Sequence, residues 1–147
     1  MNKGMKGFPG GMDDGLYRDY VPELRQPGSL GWSATAPFVG RWARIGPRTV
    51  HAWGFGSPGA AGTGNNIIQI GVPYFPVNAL WVPRPIGTMV INDSGTGLYQ
   101  GTALLYSDGY ASTFPASSTS GSHMGVAPNF ALATADSVWW SFQYEID

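Results

Sequence analysis

Apolar and polar residues alternate with a period of two along much of the chain that follows Trp32. The clearest run is 136–146, in which every second residue from Val138 onward is large and apolar while most of the intervening ones are polar. A period of two places successive side chains on opposite faces of a β-strand. The run therefore predicts a half-buried strand.

Two shorter alternating runs, 39–45 and 49–55, are separated by Gly46-Pro47-Arg48, and they predict a β-hairpin. In its second arm, Trp53 lies on the face opposite to Val50. Neither face carries enough charge to be simply solvated. We therefore expect the hairpin to lie inside a larger sheet and not at its edge.

Further short apolar runs separated by turn residues predict additional strands, at 66–72, 88–92, 98–106, 110–114 and 126–133. The turn Ser107-Asp108-Gly109 suits a tight hairpin, because Asp-Gly tolerates positive φ angles. Prolines in 72–76 and 82–85 favour edges or connectors, since proline cannot donate to a β-ladder. The pattern predicts an all-β fold, an antiparallel β-sandwich of jelly-roll type over residues 32–147.

Residues 1–31 have a different character, because their large apolar groups are interspersed with glycines that oppose regular structure. We interpret the segment as an irregular arm that anchors the protein on a partner surface; the alternative is an ordinary flexible terminus. Removal of residues 1–30 is then expected to leave a folded domain. The anchoring side chains would be those of Met5, Phe8, Met12, Leu16, Tyr17, Tyr20 and Leu24.

Composition and charge narrow the possible functions of the 147-residue chain. Its length suits one domain, and its formal net charge of −1 gives no electrostatic reason to expect nucleic-acid binding or membrane insertion. The absence of cysteine excludes disulfides, thiolate catalysis and zinc-thiolate sites. With no export signal or apolar span in the sequence, a cytoplasmic origin is expected.

Residues that could support catalysis are few. The two histidines, His51 and His123, are far apart in sequence, and Asp108 and Asp136 fit ordinary turn positions. The glycine-rich loop 56–64 lacks the Lys-Ser/Thr ending of a phosphate-binding loop. We therefore expect a protein that is not an enzyme and has no catalytic residue, metal or cofactor.

Four short motifs together resemble the β-sandwich domain of tailed-bacteriophage appendage proteins, such as tail fibres, head fibres and decoration proteins. They are Trp-Ala-Arg-Ile-Gly-Pro-Arg-Thr-Val at 42–50, Gly-Thr-Gly at 62–64, Ile-Gln-Ile-Gly-Val-Pro at 68–73 and the closing run 136–146. The resemblance covers residues 38–147. It implies a structural protein of the virion, assembled in the host cytoplasm and often trimeric. Its N-terminal segment would then attach it to other virion proteins at the head, neck or tail.

Aromatic residues are more numerous than one small core comfortably holds, so some are expected at a subunit interface or in a sugar-binding platform; the alternative is that the rings only fill the core. The second possibility gives an alternative function, a carbohydrate-binding receptor-recognition module used in host attachment. Residues 32–147 contain only four basic and five acidic residues, which favours a surface covered by copies of the same chain or by another protein. The candidate interface or glycan-binding residues are Trp53, Trp81, Tyr99, Tyr106 and Trp139.

Overall fold

A computed structural model describes residues 16–73, 83–115 and 122–146, and in this part of the chain every regular element is a strand. All pairings between strands are antiparallel, and the order in the single sheet is β1-β3-β4-β9-β6-β7-β8-β5-β2. The predicted all-β, antiparallel fold is confirmed. The strands are β1 Arg18–Asp19, β2 Leu24–Arg25, β3 Val39–Arg44, β4 Thr49–Gly56, β5 Gln69–Gly71, β6 Arg84–Asp93, β7 Gly97–Leu105, β8 Tyr110–Pro115 and β9 Ser137–Glu145.

The sheet is curled so that its two edges approach each other. β1 and β2 stand at opposite ends of the strand order, yet only residues 20–23 separate them along the chain. Five residue steps reach at most about 18 Å. A flat sheet with this number of strands would be about 38 Å wide at a spacing of ~4.8 Å. Residues 18–25, called the crossing segment below, therefore span the gap between the edges of a curled sheet.

The crossing segment is held on both sides by backbone hydrogen bonds. Tyr20 N donates to Gly40 O at 2.9 Å beside β3, and Gly71 N donates to Glu23 O at 3.0 Å beside β5. A Cβ on Gly40 would lie 2.1 Å from Tyr20 O, so glycine is required where the segment passes β3. Contacts on both edges make this segment part of the folded domain.

The predicted division of the chain at residue 31 is therefore not a boundary of the described structure. Leu24 is fully buried, and Gln26 and Leu30 are also buried. Leu24 was expected to anchor the protein on a partner, but its side chain packs in the protein's own core and cannot reach another molecule. No periodic pattern indicated this burial, because β1 and β2 have only two residues each.

The central strands follow the predicted alternation. The hairpin of β3 and β4 lies inside the sheet, between β1 and β9, as expected. Along β9, buried residues alternate with exposed ones, and Phe142 is fully buried. The buried alternate residues define an inner face that surrounds one core, and the remaining ones define an outer face.

Trp140, on the inner face of β9, has space because Gly54 lies opposite it on β4. A Cβ on Gly54 would come within 2.4 Å of the Trp140 ring and 2.2 Å of Val39 O. The indole ring also lies 5.3 Å from the ring of Trp32, and its Nε1 donates to the Tyr20 hydroxyl at 2.8 Å. Trp140 thus ties the crossing segment to the centre of the sheet.

Two local predictions are wrong. Residues 126–133 form no strand: a compact turn over 124–129, in which Gly125 has a φ of 97° and its N–H donates to Pro128 O, is followed by irregular chain at 130–133. Residues 84–85 belong to β6, a central strand, although the proline was expected to prevent this. Pro85 is tolerated because the ladder between β6 and β9 begins only at Gly87, after a bulge.

Candidate binding surface

Two exposed tryptophans lie near each other on the outer face of the sheet. Trp53 on β4 is 37% exposed and Trp139 on β9 is 40% exposed. Phe55 is paired directly with Trp139, and Trp53 is paired with Ser141, two residues further along β9. The tryptophans therefore occupy diagonal positions on adjacent strands, a distance over which large side chains interact.

Two rows of outer-face residues continue this surface across five strands, from β3 to β7. Their pairings put Trp139 between Phe55 and Val90, and put Ser141 between Trp53 and Thr88. We call the two rows together the aromatic face. Its members are Val39, Phe55, Trp139, Val90 and Gln100 in one row and Arg41, Trp53, Ser141, Thr88 and Thr102 in the other.

The aromatic face carries almost no charge. Its single charged member is Arg41, at the β3 end, and Arg41 Nη1 lies 3.1 Å from Asp19 Oδ1. An uncharged sheet face with large exposed rings suits the centre of a protein interface, where aromatic residues are enriched and charged ones depleted. The same rings could also support a sugar, so the surface chemistry alone allows both kinds of partner.

Next to the aromatic face, a histidine links β4 to the start of the described chain. The Tyr17 hydroxyl and His51 Nδ1 are 2.6 Å apart, and the two rings meet edge to face. Partial burial lowers the pKa of His51 below its ordinary value of 6.5. A neutral imidazole here adds no charge to the surface at neutral pH.

The remaining predicted aromatic residues lie elsewhere. Tyr99 stacks on Phe130 with ring centroids 4.9 Å apart and packs against the core, so it does not present an open ring face. Tyr106 is half-buried, and its hydroxyl lies 2.7 Å from His123 Nε2. Trp81 lies outside the described residues. Of the four described candidates, the structure therefore brings together two, Trp53 and Trp139.

The predicted anchoring residues differ in how far they are exposed to solvent. Leu16 and Tyr17 are exposed, whereas Tyr20 is half-buried against Trp140. Burial raises the pKa of the Tyr20 hydroxyl, which stays neutral and bonded to the indole. Met5, Phe8 and Met12 lie outside the described residues. Of the described candidates, only Leu16 and Tyr17 are thus open to a partner.

Sequence reasoning missed the residues that complete the aromatic face, Phe55 and Val90. The alternation of β4 does place Phe55 beside Trp53. The position of Val90 next to Trp139 depends on the pairing of β6 with β9, which are far apart along the chain. A periodic pattern gives the face of a residue but not the neighbouring strand.

The described parts of the chain contain no group of three or more His, Asp or Glu side chains placed to hold a metal ion. Over the same residues, no helix has the length and apolar character needed to cross a membrane. Comparisons with known protein families, with curated proteins and with solved structures found no match to this chain.

Proposed function

We propose that this chain is a non-enzymatic structural protein of a tailed-bacteriophage particle, and that it associates with copies of itself through the aromatic face. The observation that carries the proposal is the pair of exposed tryptophans on a sheet face whose single charged member is Arg41. The resemblance of residues 38–147 to appendage-protein β-sandwiches supports the virion role. It also supports a trimer as the preferred assembly.

A second copy of the chain is the partner that suits this surface. Two copies can bring their aromatic faces together without opposing like charges, because Arg41 is already paired with Asp19. Around a three-fold axis, the same patch of three subunits can converge and remove both tryptophans from water. Burial of apolar area contributes about 25 cal/mol per Å², so these rings would supply much of the association free energy.

In this proposal, residues that precede the crossing segment attach the assembly to the particle. Leu16 and Tyr17 are exposed where the described chain begins, and Met5, Phe8 and Met12 precede them in sequence. The sheet would then face outward as a decoration or fibre-type adaptor at the head, neck or tail.

Light scattering coupled to gel filtration tests the association. We expect the wild-type chain to elute with three times the 15.7-kDa chain mass, and Trp53→Ser with Trp139→Ser to elute as a monomer. Ile45→Ser is the matched control, because Ile45 is an exposed apolar residue at the hairpin turn and not on the aromatic face. A wild-type monomer at about 10 μM, where a complex with a micromolar Kd would form, contradicts the proposal.

The virion role has its own test. Mass spectrometry of purified particles should detect the chain in a fixed number of copies per particle. A deletion of residues 1–15 should remove it from the particles while leaving the soluble protein folded. Particles that lack the wild-type chain would overturn the assignment to the virion, whatever the oligomeric state.

A further inference from the structure

A cleft of about 400 Å³ opens beside the crossing segment, on the side that faces β5 and β8. One wall is the part of the crossing segment at 20–23, and the other is formed by residues 71–73 and the β7–β8 turn at 108–110. A backbone hydrogen bond joins the walls, because Gly71 N donates to Glu23 O at 3.0 Å. None of the residues of the aromatic face lines this cleft. A role for the cleft is therefore independent of self-association.

Apolar side chains make up much of the lining of the cleft. Val21 is 73% exposed on one wall, and Val72 and Pro73 are half-buried on the opposite wall. Removal of such apolar surface from water is favourable in proportion to the area that is covered. A segment with large apolar side chains would therefore gain free energy by entering the cleft.

Two carboxylates lie among these apolar groups, and both are oriented by hydrogen bonds. Glu23 Oε2 accepts a hydrogen bond from the Tyr110 hydroxyl, and Asp108 Oδ1 accepts one from Tyr110 N at 3.1 Å. The nearest described cation is Arg25, whose Nε lies 3.9 Å from Glu23 Oε1 and which is not part of the lining. Two carboxylates beside one guanidinium leave a net negative charge. The cleft therefore favours an occupant that is cationic as well as apolar.

Residues 3–8 of the chain, Lys-Gly-Met-Lys-Gly-Phe, combine these two properties. They contain the only two lysines of the sequence together with two large apolar residues. The glycines between them let the backbone approach a narrow surface closely. No acidic residue precedes Asp13, so this segment is positively charged and complements the two carboxylates of the cleft.

The segment is long enough to reach the cleft of its own chain. The first described residue is Leu16, and Tyr20, which lines the cleft, follows it by only four positions. Ten residue steps from Lys6 to Leu16 span at most about 35 Å. A covalent connection of this length keeps the effective concentration of the segment at the cleft high. Its own cleft is therefore favoured over that of a second copy.

We infer that residues 3–8 dock in the cleft of their own chain in the free protein. The two lysines would lie at Glu23 and Asp108, and Met5 and Phe8 would cover the apolar walls. Exposed ion pairs contribute little each, so the docking is weak and reversible. A partner surface that binds Met5 and Phe8 would compete with the cleft. The cleft would thus cover these apolar side chains until the protein attaches to its partner.

Carbodiimide cross-linking of the full chain tests the docking, because it joins an amine to a carboxylate only where the two are in contact. The two lysines both belong to residues 3–8, so every lysine cross-link found by mass spectrometry reports on this segment. We expect links to Glu23 and Asp108 and none to Glu145, an exposed carboxylate at the end of β9. Glu23→Gln and Asp108→Asn keep the hydrogen-bond acceptors, and each should remove its own link. Glu145→Gln is the matched control and should leave both links.

Amide chemical shifts measure the docking without a cross-linker. The double substitution Lys3→Gln and Lys6→Gln in the full chain should shift the amide signals of Gly71 and Gly109, which line the cleft. The wild-type chain should approach the same shifts at about 1 M NaCl, where a Debye length of ~3 Å screens the ion pairs. Glu145→Gln should leave these signals unchanged.

Three results would overturn the inference. The first is lysine links that form with Glu145 as readily as with the carboxylates of the cleft. The second is links between two copies in a mixture of isotope-labelled and unlabelled chain, which would make a second copy the source of the segment. The third is cleft amide signals that the lysine substitutions leave unchanged. None of these results depends on Trp53 or Trp139, so a monomer with cleft links, or a trimer without them, separates this inference from the proposed function.

Discussion

At the scale of single residues, Gln26 shows how one buried polar side chain can join separate parts of the chain. Its Nε2 donates to Phe130 O at 2.8 Å and to Asn66 O at 3.1 Å, and its Oε1 accepts from Leu132 N at 2.8 Å. These backbone groups belong to two loops far from residue 26 in sequence. Gln26 therefore connects the region after β2 to the loops before β5 and β9.

We predict that Gln26→Ala lowers the free energy of unfolding by about 3 kcal/mol or more, because it leaves buried backbone groups without partners. Urea or guanidinium denaturation of the purified protein measures the change. Gln143→Ala is the control, since Gln143 is exposed on β9 and its loss should cost less than about 0.5 kcal/mol. Equal effects of the two substitutions would contradict the assigned role of Gln26.

At the scale of elements, the crossing segment closes the gap between the two edges of the sheet. It contributes β1 and β2, and the half-buried Trp32 holds the segment in place, because its Nε1 donates to Pro22 O at 2.7 Å. An unpaired edge strand exposes backbone groups to other chains. The segment therefore protects both edges and also supplies Leu24 to the core.

Two deletions separate the crossing segment from the residues that precede it. We predict that a chain without residues 1–15 unfolds cooperatively, with a melting temperature close to that of the full chain. A chain without residues 1–25 should lose cooperative unfolding, because both short strands and Leu24 are missing. Thermal denaturation followed by near-ultraviolet circular dichroism distinguishes the two.

The second deletion also tests the original expectation that residues 1–30 are dispensable for folding. The structure opposes that expectation, because Leu24, Gln26 and Leu30 are buried. If the chain without residues 1–25 folds and still unfolds cooperatively, the crossing segment is not required for folding.

At the scale of the whole molecule, the small number of charged residues determines how the proposed association should depend on salt. Four basic and five acidic residues from residue 32 onward leave little long-range electrostatic attraction or repulsion between copies. The aromatic face would contribute apolar burial, which salt does not screen. The assembly should therefore respond to substitution of tryptophan and not to ionic strength.

We predict that the proposed trimer keeps its mass between about 0.05 M and 1 M NaCl, over which the Debye length falls from roughly 14 Å to 3 Å. Sedimentation velocity at both salt concentrations measures this. Arg25→Ala serves as the control and should change the mass little, because Arg25 lies in β2 beside Glu23, outside the aromatic face. Dissociation at high salt would indicate an ionic interface located elsewhere.

The sequence by itself determined the strands that are long enough to show a period of two. It placed the hairpin of β3 and β4 inside the sheet and distinguished the buried from the exposed residues of β9. It also put Trp53 on the face opposite to Val50, because that choice depends only on the pleat of one strand.

Tertiary structure alone decided which strands became neighbours and how far the sheet curled. Two-residue strands such as β1 and β2 leave no periodic signal, so Leu24 could be read as an anchor although it is a core residue. Tyr99 and Tyr106 are likewise held by residues distant in sequence: Tyr99 stacks on Phe130, and the Tyr106 hydroxyl bonds His123. These contacts depend on the long-range register of the sheet, which no local pattern of residues encodes.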